Sequence, residues 1–419
     1  MHARHLAGIV TAIALLSPAA DVVRTESRPP AVETKPHHGR GWVGTWTASP
    51  QPASSPLPIN GQTLRHIVHT SIGGDSVRIR LSNAYGEEDI VVGAARVAVS
   101  AGGASIVEGT NRVLRFNGSP TITISAGTFV VSDPVTLRVP ALGDLAVSLY
   151  LPGNVAAATG HDLGLQTNYL SAPGDFAGTA DFTGTTTQSF HFLTTVEVRA
   201  PGRAGAIVTL GESVTDGAGS TPDTNQRWTN LLAERLQGHP RTSDMAVLNA
   251  GIGGNRILHD IVGPSGLSRL DRDVLVQSGA THLIVSPGNT DILLPDLIGL
   301  PAQNVGADQI IQGHQQIITR ARAMGLRVYG ATLTPVDGFP FPGFWTAAME
   351  EKRQLVNRFI RTSGAYDAVI DFDEVLRDPA QPTRLRPEYD SGDHVHPNDL
   401  GHRALADAIN LKLFRPEDD

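Results

Sequence analysis

The sequence predicts an α/β domain built on a parallel sheet covered on both faces, preceded by an all-β module of sandwich or jelly-roll-like type. Two observations carry this. From residue 41 to about 200 the hydrophobic period is two, and after Pro201 short apolar runs alternate with stretches of helical character. Length agrees: 419 residues exceed one domain at roughly 150 residues each, and can bury a substantial core unaided.

The chain opens with a charged stretch at 2–5, an apolar run at 6–16, and then Ser17-Pro18-Ala19-Ala20. That order predicts a secretory signal peptide over 1–20, since the run falls short of the ~20 residues a spanning helix needs. Residues 21–40 are rich in Pro, Glu, Thr, Lys and His without periodicity, and read as a flexible linker. No later segment is apolar enough to cross a membrane, so a secreted, soluble protein is expected.

Composition narrows the function. A net charge of -8 argues against a general nucleic-acid binder or an anionic-membrane clamp, which need a cationic face. Zero cysteines exclude disulfides, thiolate metal sites and cysteine nucleophiles. An apolar fraction of 40% with dispersed polar residues argues against disorder.

Over 41–200, Val77-Arg78-Ile79-Arg80-Leu81, Thr121-Ile122-Thr123-Ile124, Val135-Thr136-Leu137-Arg138-Val139 and 146–151 all alternate between Gly, Pro, Asn and Ser clusters. They predict short half-buried strands of a β-sandwich accessory domain. Over 201–419, strands are expected at 206–210, 246–248, 282–286, 328–331 and 368–370. Helices are expected at 225–237, 267–277, 307–324, 346–361 and 399–411. Ligands of such sheets sit beyond the carboxyl ends of the strands.

There the chain reads Gly211-Glu212-Ser213-Val214-Thr215-Asp216-Gly217. A serine just past a strand, between glycines and before a helix, is well placed as a nucleophile, with backbone N–H groups near for an oxyanion. Serine is also a common turn residue and helix cap. The stronger signal is Asp393-His394-Val395-His396-Pro397-Asn398, just before the last predicted helix. A serine needs a base that titrates near neutrality, and a carboxylate to orient it. One tight loop offers both, with His394 and His396 each available as base. A metal pair is the weaker alternative, because no third ligand group has metal spacing. No cofactor is expected.

Together these residues resemble the SGNH, or GDSL-type, esterases and lipases. Gly211-Glu212-Ser213 stands for the Gly-Asp-Ser block, and Asn249-Ala250-Gly251-Ile252-Gly253-Gly254-Asn255-Arg256 for the second. Pro287-Gly288-Asn289-Thr290-Asp291-Ile292 sits where the family has Gly-x-Asn-Asp, and Asp393-x-x-His396 matches the terminal block. The stretches 217–222 and 329–335 are similar to a subgroup that includes xylan-associated esterases with a β-rich module in front. The resemblance implies a flavodoxin-like five-stranded parallel sheet. It implies Ser213 as nucleophile, His396 as base and Asp393 as its orienting partner. It also implies an oxyanion hole from the backbone of Ser213 and Gly254, with a side chain from block three. Two departures stand out. Glu212 replaces the usual Asp, and Thr290 falls where the family's Asn belongs, so Asn289 and Thr290 remain equal candidates for that side chain.

Gly74-Asp75-Ser76 is a literal Gly-Asp-Ser, but it precedes an alternating strand and reads as a hairpin turn. Residues 251–254 resemble a dinucleotide loop only superficially, since Arg256 stands where the last glycine belongs. His259 and Asp260 stand after the second block as rim candidates. Phe339-Pro340-Phe341-Pro342-Gly343-Phe344-Trp345 is an aromatic cluster on the expected ligand side. Phe341, Phe344 and Trp345 could wall an acyl or sugar site, or simply anchor the loop. The expectation is a secreted serine ester hydrolase acting on short-acyl esters, including acetylated carbohydrate, or on lipid or polyester esters. The alternatives are a carbohydrate-binding protein with a weakened hydrolase domain, and transfer of the acyl group to an alcohol rather than water.

Overall fold

The computed structural model describes residues 41–415; the predicted signal peptide and linker lie outside the described residues. The β-rich part contains β1 (Gly41–Thr47), β2 (Gln51–His69), β3 (Gly74–Ser82), β4 (Ala94–Gly102), β5 (Val135–Val139), β6 (Asp144–His161), β7 (Asn168–Pro173) and β8 (Leu193–Ala200), with shorter strands between. One antiparallel sheet runs β1-β8-β3-β5, and a larger one contains β7-β2-β6-β4. The alternation in sequence is the alternation in space: Val77, Ile79 and Leu81 of β3 are buried while Arg78 and Arg80 take the other face. Gly74-Asp75-Ser76 is not the hairpin turn its composition suggested. It opens β3, with Gly74 opposite Val139 and Ser76 opposite Thr136, because the chain here passes from the larger sheet to the smaller one.

From residue 205 the chain forms a parallel sheet of β9 (Gly205–Gly211), β10 (Met245–Gly251), β11 (Ala280–Val285), β12 (Arg327–Ala331) and β13 (Ala368–Ile370), in the order β10-β9-β11-β12-β13. All of β9 is buried, as expected of a strand covered on both faces. The order reverses at β9, so the crevice at its carboxyl end is the switch point where ligands bind in such sheets. The helices are α1 (Ser213–Asp216), α2 (Trp228–Gln237), α3 (Gly266–Leu270), α4 (Asn289–Leu297), α5 (Ala307–Ala323), α6 (Ala347–Thr362), α7 (Phe372–Leu376) and α8 (Asp399–Ala408). The helix expected from 225 starts at Trp228, because Asp223 and Asn225 take left-handed backbone angles of φ 63° and 56°. That expected over 267–277 is split, with a π-helical turn at Asp271–Leu275. No helix among the described residues is long and apolar enough to cross a membrane.

Core packing runs continuously from the β-rich part into the α/β part. Val43 and Val198 share one buried cluster with Leu210 and Leu248, and the Gly44 N–H donates to the Ser278 carbonyl at 2.9 Å.

What positions the site is the seam between the segment after β9 and helix α8. Asp399 accepts from the Thr221 N–H at 2.8 Å and its hydroxyl at 2.7 Å. His402 Nε2 lies 3.1 Å from the Ala218 carbonyl, while its Nδ1 accepts from the Trp228 N–H at 3.3 Å. One nitrogen donates and the other accepts, so the ring is held neutral. Burial accordingly pushes His402 down to about 4. Gly219, at φ 88°, lies so close beneath the next loop that a methyl there would come 2.3 Å from the Pro397 carbonyl oxygen.

Because the folded-state value of His402 lies below the ordinary histidine value, its contribution to stability is present above pH ~6.5 and lost as pH falls towards 4. Thermal melts at pH 7.5 and 4.5 check this. His402→Asn is expected to be less stable than the wild type at pH 7.5, by about 1–3 kcal/mol, and to lose less on acidification.

Candidate active site

Ser213 opens α1 directly beyond β9, and its Oγ lies 2.8 Å from His396 Nε2. His396 Nδ1 lies 2.6 Å from Asp393 Oδ2. The other Asp393 oxygen accepts from the N–H groups of Val395 at 3.0 Å and His396 at 2.8 Å. This tight turn explains the three-residue spacing: one carboxylate both shapes the loop and faces the ring it shapes it around. A carboxylate only accepts, so Nδ1 carries the proton and Nε2 offers its lone pair to the serine hydroxyl. Burial works against the Asp393 charge. The His396 ring and the two N–H donors outweigh it, holding the carboxyl well below the usual range. His394, the other candidate base, is engaged by Asp390, with Nδ1 and Oδ2 2.6 Å apart.

Above Ser213 lies the turn following β10. A methyl added at Gly253 would come within 3.9 Å of Ser213 Cβ. Gly254 holds φ 74°, a left-handed angle that favours glycine. Among the described residues, no acceptor engages the backbone N–H of Ser213 or of Gly254, which leaves both free for an oxyanion.

Buried charges hold these loops together. Glu212, the departure from the usual Asp, takes a 3.0 Å hydrogen bond from the Thr290 N–H. The Thr290 hydroxyl and the backbone at Gly288 and Asn289 lie near enough to favour its charge as well. Glu212 therefore sits at the N-terminus of α4, where a negative charge is favoured, although burial raises its pKa above the ordinary value. Asp291 accepts from the N–H groups of Ile257 at 2.7 Å and Leu258 at 3.2 Å, joining the third block to the second. Burial, with Glu212 nearby, pushes it up to about 7. The fully buried Arg269 guanidinium donates to the carbonyls of Ala250 at 2.7 Å and Gly211 at 3.1 Å, and to Asn255 Oδ1 at 3.0 Å. Asp216 takes the Gly253 N–H at 2.8 Å and faces His161 Nε2 at 2.9 Å.

The side-chain candidates for the oxyanion hole are otherwise occupied. The Asn289 amide donates to the Thr334 carbonyl at 3.0 Å, and the Thr290 side chain lies beside Glu212, favouring its charge. The aromatic cluster divides. Trp345 is buried and donates to Glu350 at 3.0 Å, and Phe344 packs partly on the core. Phe341 is 59% exposed, edge-on to Phe344 with ring centroids 5.6 Å apart. A methyl added at Gly338 in the same loop would fall 2.9 Å from His394 Cβ, so the loop passes beside the Asp393–His396 turn. Asp260 accepts from the Ser265 N–H at 2.6 Å.

Sequence reasoning missed Arg269, Asp216 and His161. Asp216 lay in plain sight within the nucleophile block. Nothing local in the sequence marks the other two, because their importance comes from burial among distant segments.

Residues 209–404 match the model of the GDSL-like lipase/acylhydrolase family. No curated protein matches the chain. Among solved structures, an acetyl xylan esterase is similar at 21% identity and TM-score 0.37, over 48% of this chain and 96% of the other. The native aryl esterase of M. smegmatis is similar at 17% identity and TM-score 0.38, over 49% and 96%. A carbohydrate acetylesterase from Sinorhizobium meliloti is similar at 15% identity and TM-score 0.38, over 50% and 98%.

The hydrogen bonds of block three generate an expectation that separates two roles. Thr290→Val removes the hydroxyl that favours the charge of buried Glu212 and should cost about 1–3 kcal/mol in denaturant melts, with kcat on 4-nitrophenyl acetate changed less than about threefold. A donor to the oxyanion would instead show a kcat loss of roughly 10²–10³.

Proposed function

With residues 209–404 belonging to the GDSL-like lipase/acylhydrolase family, and the protein therefore a carboxylic ester hydrolase, we propose that it is a secreted serine esterase. Its substrates would be short-acyl esters, among them O-acetyl groups on carbohydrate, or lipid-like esters, cleaved through an acyl-enzyme on Ser213. The observation that carries this reading is the unbroken hydrogen-bond run Asp393–His396–Ser213 at 2.6 and 2.8 Å.

Ser213 Oγ adds to the ester carbonyl carbon while its proton passes to His396 Nε2. Asp393 keeps the ring oriented and stabilises the cation that forms. The carbonyl oxygen, now negative, is held by the N–H groups of Ser213 and Gly254. Collapse breaks the bond to the alcohol oxygen, which leaves with the proton from His396. Water then gives a proton to His396 and attacks the acyl carbon, and Ser213 takes the proton back as the acid departs. Phe341, exposed in the loop that passes His394 at Gly338, offers a ring face for an acyl chain or a sugar ring. The intact run of hydrogen bonds weighs against a binding protein with a dead hydrolase domain.

In this reading residues 41–200 form a β-sandwich domain and 201–419 the hydrolase domain. Support for the sandwich is that Leu64 and Val147 of the larger sheet share one buried cluster with Ile79 and Val198 of the smaller one. Secretion rests on the charged, apolar and small-residue order of residues 1–20.

Ser213→Ala should lower kcat/KM on 4-nitrophenyl acetate by about 10⁴-fold or more with the fold intact by circular dichroism; retained turnover would remove Ser213 from the mechanism. A series of acyl chain lengths, run beside acetylated xylan, then separates the short-acyl from the lipid-like substrates.

A further inference from the structure

Among the contacts by which the β-rich part reaches the segment around Ser213, one passes through His161 to Asp216. His161 is the last residue of β6 and is 6% exposed. Its Nδ1 lies 3.0 Å from the Ser49 carbonyl oxygen and its Nε2 lies 2.9 Å from Asp216 Oδ1. A carbonyl oxygen and a carboxylate oxygen both accept, so a neutral ring would leave one of these contacts without a proton. The ring fits its surroundings as an imidazolium. Burial opposes that charge, but the Asp216 carboxylate and the two hydrogen bonds outweigh it and raise the pKa, even with Arg227 near enough to oppose it.

The other Asp216 oxygen takes the Gly253 N–H at 2.8 Å. Gly253 lies over Ser213 and directly precedes Gly254, the free N–H assigned above to the oxyanion. The packing leaves little slack: a methyl at Gly251 would fall 2.4 Å from the Asp216 nitrogen. One continuous chain of contacts thus runs from the Ser49 carbonyl through His161 and Asp216 to the peptide beside the oxyanion donor.

We propose that His161 is a positioning residue of the esterase: its imidazolium fixes Asp216, which fixes Gly253 and so aims the Gly254 N–H at the developing oxyanion. The β-rich part then completes the catalytic apparatus. This inference rests on the esterase reading above. Other bonds tie the same two parts together without touching Gly253, and they supply a control. Thr167, for example, donates from its N–H and hydroxyl to Asp223 at 2.5 and 2.6 Å.

The test compares the full-length wild type with His161→Leu, His161→Gln and Thr167→Val, on 4-nitrophenyl acetate and with butaneboronic acid, a tetrahedral anion mimic. Leu should lower kcat by about 10²-fold and weaken boronate affinity by a similar factor, with KM within about threefold. Gln, whose amide nitrogen can donate to Asp216 but carries no charge, should fall between Leu and wild type. Thr167→Val should match wild type in both measurements. Nitrogen NMR of the wild type should show His161 protonated on both ring nitrogens at pH 7, a readout that needs no variant to fold. A neutral His161, a kcat within twofold of wild type for a folded Leu or Gln variant, or a kcat loss with boronate affinity retained would each overturn the proposal. In all three cases the esterase reading survives if wild type turns over and Ser213→Ala does not. A wild type inert to both ester and boronate would instead remove the reading beneath it.

Discussion

The imidazole of His396 must touch a hydroxyl that lies 183 residues away in the chain, and most of the α/β part can be understood as meeting that constraint. A contact of this kind tolerates little error, since such hydrogen bonds span only about 2.7–3.2 Å and weaken steeply as the donor angle falls below about 120°. The sheet fixes one end, because Ser213 follows a fully buried strand whose carboxyl end opens at the switch point. Helix α8 fixes the other, clamped through Asp399 and His402 onto the segment that follows Ser213. Gly219 lets the two loops approach closely enough.

Around that contact, the loops are held by buried charge rather than by hydrophobic packing alone. An unpaired buried charge is expensive. Glu212, Asp216, Asp291 and Arg269 are instead surrounded by backbone N–H and carbonyl groups of neighbouring loops. Each such bond gives a loop a fixed direction, which apolar contacts do not provide, and each makes the loops depend on one another. This interdependence keeps the block Asn289-Thr290-Asp291 in register with the other two. The Thr290 N–H donates to Glu212, whose longer acidic side chain reaches the start of α4. The same logic crosses the boundary between the two parts of the chain at His161, so the β-rich part and the hydrolase share one electrostatic framework as well as one core.

Much of this was legible in the sequence for a simple reason. Period-two alternation in β3 and the buried apolar run of β9 are direct records of which faces meet water. Asp393 and His396 were legible because a tight turn places both groups within one short stretch, where spacing alone carries the geometry. Gly74-Asp75-Ser76 misled because a glycine-rich start of a strand and a turn have the same composition; only the pairing of Gly74 with Val139 distinguishes them. The late start of α2 followed from left-handed residues at 223 and 225, a backbone choice the local pattern does not record. Arg269 and His161 were invisible because a lone Arg or His gives no sign of being buried, and their partners lie in segments far along the chain.

Covalent capture with a fluorophosphonate, followed by a crystal structure of the adduct, tests the central claim most directly. The phosphorus should be bonded to Ser213 Oγ with fluoride gone, and the phosphonyl oxygen should lie about 3 Å from the N–H groups of both Ser213 and Gly254. An adduct on another residue, or a phosphonyl oxygen turned away from those two donors, would contradict it.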